Sequence, residues 1–154
     1  MRKFIILASA LAVASAALPA TAAGPDLLFP TSQASNITAP AANQPYWALL
    51  AECAGVFGAA SQWESSRGHG SAADEDKATG TRFLNDAIER LKADHGLSDH
   101  DALAFASDEV SEGHDQGADL LANGDISGSS QWNWKRSGCM QIQDAYHHDA
   151  RRRS

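Results

Sequence analysis

From Tyr46 to Trp63 the chain runs YWALLAECAGVFGAASQW, with Glu52 as its only charge. Tyr46, Leu49, Leu50, Cys53, Val56, Phe57, Ala60 and Trp63 recur at three- and four-residue steps, the spacing of one helix face. The opposite side is small: Ala48, Ala51, Gly55, Gly58 and Ala59. A helix apolar on every side has no face suited to water, so it must be enclosed by other protein elements. A membrane span needs about 20 apolar residues without such interruptions, which makes a core helix the better reading. Pro45 falls where a first-turn residue gives up no hydrogen bond, and Asn43 is the candidate N-cap.

Cys53 lies mid-way along that face. The second cysteine, Cys139, lies mid-way along another stripe, formed by Trp132, Cys139, Ile142 and Tyr146. The N-terminus has the form of a secretory signal peptide over 1–22. Arg2 and Lys3 precede an apolar, Ala-rich run, and Ala20-Thr21-Ala22 has the A-x-A form of a cleavage site. The expected location is therefore periplasmic or secreted, with membrane contact only through the signal peptide. In an exported chain two cysteines default to a disulfide. A bridge closing 86 residues (139 minus 53) stabilises by about 4–5 kcal/mol in the chain-entropy account. The absence of a C-x-x-C argues against redox catalysis.

Residues 23–43 mix Pro, Ser, Thr, Asn and Ala without a period, and are read as a flexible lead-in. The Gly-, Ser- and Asp-rich stretch 65–80 is read as a loop, with the second helix emerging within it at about 72 and most strongly patterned from Thr81 to His95. Gly96 marks its end. Ser98, three residues before Asp101, resembles a capping box and opens a third helix. Its expected inward stripe is Leu103, Ala106, Val110, His114, Gly117 and Leu121, with Gly113 and Gly117 admitting a bulky neighbour. These patterns predict an all-α protein, a small antiparallel four-helix bundle. Its helices fall at about 44–64, 72–95, 99–122 and 131–149, within a single domain from 44 to 154, and one disulfide joins the first helix to the last.

The formal charge is −7. Losing Arg2 and Lys3 from the 12 basic residues, against 19 acidic ones, leaves −9. Such a chain is not steered towards nucleic acid. From Asp94 to Asp125 no Lys or Arg occurs, and the third helix carries Asp108, Glu112, Asp115 and Asp119 on or beside one stripe. That stripe is either a solvated face or a surface for a basic partner. His114, expected among apolar residues, is a candidate metal or ligand contact, or a histidine bonded to a neighbouring side chain. Glu52, alone on an apolar helix, is a further candidate ligand or metal contact if it sits in a dry setting; otherwise it reaches the edge of its face. Trp47 and Trp134 point away from their stripes and are candidates to flank a groove or partner surface.

No nucleophile elbow, phosphate-binding loop, dinucleotide fingerprint or metalloprotease motif occurs, and no cofactor is implied. The expectation is a non-catalytic binding or accessory protein of the cell envelope with a protein partner there, using Trp47, Trp134 and the acidic third helix. The alternative is a bundle handling a metal or small ligand through His114 and that helix.

Overall fold

The computed structural model describes residues 26–29, 43–122 and 130–153. The expected signal peptide and most of the lead-in lie outside the described residues. Among the described residues four helices follow one another: α1 Tyr46–Ser66, α2 Gly70–His95, α3 Asp99–Ala122 and α4 Gln131–Arg153. They form the expected all-α four-helix bundle.

The centre of the bundle is α1. Tyr46, Leu49, Leu50, Cys53, Val56, Phe57 and Ala60 are buried, and so are Ala51, Ala54, Gly55 and Ala59 from the small side. The helix touches all three others, whereas α3 meets α2 and α4 only sparingly. Two apolar clusters result. The larger joins α1 to Phe83, Ala87 and Leu91 of α2, Ala102 and Ala106 of α3, and Cys139, Ile142 and Tyr146 of α4. The smaller, at the far end, packs Val56, Ala59 and Ala60 against Leu121 and Trp132.

Each neighbour is held to α1 by a different means. Phe83 stacks on Phe57, centroids 5.4 Å apart, and fixes α2. The bridge Cys53–Cys139 fixes α4, with its α-carbons 5.5 Å apart. Between α1 and α3, Trp47 meets Phe105 and Leu121 packs on Val56 and Ala59, but the closest approach has no side chain in it. A β-carbon on Gly55 would lie 2.0 Å from the Val110 carbonyl oxygen, and one on Gly113 would lie 1.9 Å from that of Glu52. The two backbones therefore touch, and Gly113 admits a main chain rather than the bulky side chain expected.

That contact rotates α3 relative to the sequence reading. Its buried residues are Ala102, Ala106, Gly113, Gly117 and Leu121, while Leu103 is exposed. Apolar periodicity favours the larger Val110 and His114; the glycines beside them face α1 instead. Ala106, Gly117 and Leu121 hold their expected inward places, but glycine carries no hydrophobic signal, and Ala102 and Gly113 take the positions expected of Leu103 and His114.

Three element boundaries also differ. The N-cap of α1 is Pro45, without a side-chain cap bond, and Asn43 instead takes a left-handed conformation with φ of 64°. The α1–α2 connection is only Arg67, Gly68 and His69, with Gly68 at φ of 80°. The rest of the expected 65–80 loop is helix. Ala73, Asp76, Thr79 and Gly80 lie against α1 at helical spacing, and the Ser61 hydroxyl donates to the Ala73 carbonyl at 2.8 Å. Small residues packed on small residues left no apolar period to read. Part of the lead-in is fixed as well. Leu27 and Phe29 are buried, the Tyr46 N–H donates to the Leu27 carbonyl at 2.8 Å, and the Phe29 N–H to that of Gln44 at 2.9 Å.

Two helix ends match their sequence signals. Gly96 closes α2 in the left-handed conformation, and the Ser98 hydroxyl oxygen accepts the Asp101 N–H at 3.2 Å while donating to the Asp101 carboxylate at 2.7 Å. Ser130 opens α4 in a similar way, accepting the Asn133 N–H at 3.2 Å.

Candidate cationic-ligand cleft

Because α3 is drawn against α1 at the glycines and α4 is bridged to α1 at the cysteines, the space between α3 and α4 stays open. It is a cleft of about 840 Å³ floored by α1. Pro45, Trp47, Ala48 and Glu52 come from α1 and its approach, Glu109, Glu112, Gln116 and Leu120 from α3, and Gln131, Trp134 and Lys135 from α4. The volume is within the range of small-molecule sites, and the mixture of apolar wall and a few polar groups is their usual chemistry.

On α3 the polar lining residues recur at three- and four-residue steps, so they form one ridge facing α4. Lys135 reaches across to it. Its ammonium donates to Glu52 Oε1 at 2.5 Å and to Gln116 Oε1 at 2.9 Å. Gln116 in turn donates from Nε2 to Glu112 Oε1 at 3.2 Å. Glu109 is half-buried, and burial pushes its carboxyl above the ordinary carboxylate range, with Glu112, Glu52 and Asp108 adding to the effect. Among the described residues, the cleft thus holds Glu52, Glu109 and Glu112 against one cation, Lys135.

The two tryptophans differ. Trp134 is 70 % exposed at the rim. Trp47 is 9 % exposed and meets Phe105 edge-on at 5.1 Å. Its indole Nε1 is buried and has no hydrogen-bond partner among the described residues. Such orphans are rare in folded proteins, where nearly every buried donor finds an acceptor.

Of the residues singled out in the sequence, Glu52, Trp47, Glu112 and Trp134 meet in this cleft. Glu52 lies at the edge of its face, paired with Lys135. Asp108, Asp115 and Asp119 are exposed and do not line the cleft. His114 lies outside it too. Its side chain is 35 % exposed, and a ring nitrogen is 3.2 Å from Gln62 Oε1. The bonded-histidine expectation fits the contact, though not the core position. Glu109, Gln116 and Lys135 were missed as site residues. Their helical register was readable, but which helix faces which was not.

A second hollow, about 500 Å³, lies between α2 and α4 beside Arg82 and Arg136. Its cations are already engaged within the chain: Arg82 donates to Thr79 Oγ1 at 2.9 Å, and Arg136 is 3.9 Å from Asp76. Among the described residues no three His, Cys, Asp or Glu side chains group so as to hold a metal ion, and no helix is long and apolar enough to cross a membrane. Comparison with protein-family models, curated proteins and solved structures finds no match to this chain.

Proposed function

We propose that the protein is an exported, non-catalytic binding protein of the cell envelope, and that the α1/α3/α4 cleft is where it binds. The observation that carries this reading is the incomplete chemistry of the cleft among the described residues: a buried indole N–H without an acceptor and carboxylates in excess of cations, inside a hollow of ligand size. The disulfide supports export, since such bonds persist in oxidising compartments. His114 has Asp115 3.7 Å away, but among the described residues no third ligating side chain joins them, so the cleft is preferred.

The test uses the four tryptophans. Indole N–H signals are followed by nuclear magnetic resonance while a fragment panel is added to the native, oxidised protein. Binders are expected to move the Trp47 and Trp134 signals and leave Trp63 and Trp132 in place, and Trp134→Ala should weaken those same binders. Saturable binders that move only Trp63 or Trp132, or a panel with no binder, would count against the cleft.

A further inference from the structure

We propose that the cleft takes an organic amine, a single ammonium carried on an apolar body. This rests on the cleft being the binding site and adds the class of ligand.

The chain already displays the chemistry. Lys135 places an ammonium between a carboxylate and an amide oxygen, those of Glu52 and Gln116. That pairing accounts for one acid. Glu109 and Glu112, one turn apart on α3, have no basic partner among the described residues. Two carboxylates facing a partly desolvated hollow repel one another, and a cation between them relieves that repulsion. Burial and the neighbouring carboxylates already hold Glu109 towards its protonated form, which is the direction an unmet need for positive charge takes.

A metal ion would satisfy the charge but not the geometry, since these acids do not converge into a group able to hold one. Hard cations need several oxygens at short range. A larger, softer cation with its own apolar part fits better. Leu120, Pro45 and Ala48 line the wall, and the exposed ring of Trp134 offers a π-face to an ammonium or a flat surface to a hydrocarbon. The Trp47 N–H, buried and without a partner among the described residues, is a donor that an acceptor on a ligand body would satisfy. An inorganic anion or a fatty acid would meet two like charges and leave that wall or those acids unmatched.

The probes are 4-phenylbutylamine, 4-phenylbutanol and 4-phenylbutanoate, which share one body and differ in charge. Titration calorimetry on the native chain should show the amine binding about tenfold or more tightly than the alcohol, and the carboxylate weakest. Glu109→Gln and Glu112→Gln together should weaken the amine about tenfold and leave the alcohol within about twofold. Asp108→Asn, on the exposed side of α3, should change neither, and far-ultraviolet circular dichroism checks that each variant keeps its helices. An alcohol as tight as the amine, a preference for the carboxylate, or no binding of any probe at millimolar concentration overturns the amine assignment. If the probes still move the Trp47 and Trp134 indole signals in the first of those cases, the cleft stands and only the ligand class falls. If the amine is preferred but moves Trp63 or Trp132 alone, the cleft itself falls.

Discussion

Gly55 and Gly113 set how closely α3 can approach α1. Any side chain at either position would drive a β-carbon into a carbonyl oxygen of the facing helix, and backbone cannot yield as a flexible side chain does. Gly55→Ala or Gly113→Ala should cost at least about 3 kcal/mol in chemical denaturation, at or beyond the usual overpacking range. Gly58 is the internal control. A β-carbon there meets only His114 Cδ2 at 3.9 Å, so Gly58→Ala should be neutral or gain up to about 1 kcal/mol from helix propensity. Equal losses at all three positions would remove the backbone-contact explanation. His114 shows what was not readable at this scale. Its place on α3 was plain in the sequence; its inward orientation was inferred from size, and glycine contacts decided otherwise. Asp76 carries a pH prediction. Burial raises its carboxyl above the ordinary value of 3.8, Arg136 opposes this, and Glu64 and Glu75 add to it. The folded state therefore disfavours the charged form, and at neutral pH this group subtracts from stability. Asp76→Asn should raise the melting temperature at pH 7, and the gain should vanish as the pH falls through the raised value to below 3.8. A gain that persists in acid would contradict the assignment.

Among the elements, α4 depends most on its staple. Its other ties are a short apolar stripe, Trp132, Ile142 and Tyr146, and three polar links: Lys135 to Glu52, Gln143 to Asp86 at 2.7 Å, and the Tyr46 hydroxyl to Asp149 at 2.8 Å. Replacing both cysteines by Ala should cost about 4–5 kcal/mol for an 86-residue loop. Hydrogen exchange should then rise first along α4 while the α1–α2–α3 amides stay protected. Uniform loss of protection would show that α4 is integral rather than stapled on. The docked piece of lead-in has its own anchor. The Asp94 carboxylate accepts the Leu27 N–H at 3.3 Å and two bonds from Arg90. Asp94→Ala leaves a buried N–H and a half-buried guanidinium unmet, at a cost of about 3 kcal/mol, and should expose the 26–29 segment to protease. Helix existence, the Gly96 and Ser98 boundaries and the cysteine pairing were all legible at this scale, because caps and large apolar residues announce themselves. The first turns of α2 and the docking of Leu27 and Phe29 were not. The former pack through small residues, and the latter form no helix or period of their own.

Over the whole molecule, three different attachments to one central helix leave a gap on one side. The bundle could be read from four periodic segments and two centred cysteines. The cleft could not, since it depends on α3 being closer to α1 than ordinary side chains allow. A third of its lining was nonetheless legible as candidate site residues: Trp47 and Trp134 because they left their stripes, Glu52 because it was a lone charge, and Glu112 as part of an acidic face. The remaining members needed the helix rotation that glycine imposed. The most direct test of the cleft as an amine site is the set of nuclear Overhauser contacts between bound 4-phenylbutylamine and the native protein. The account predicts contacts from the phenyl ring to Trp134 and Leu120, and from the methylene next to nitrogen to the side chains of Glu109 and Glu112. Contacts confined to the α2–α4 hollow, or a ring at the glutamates with the nitrogen end in solvent, would contradict it.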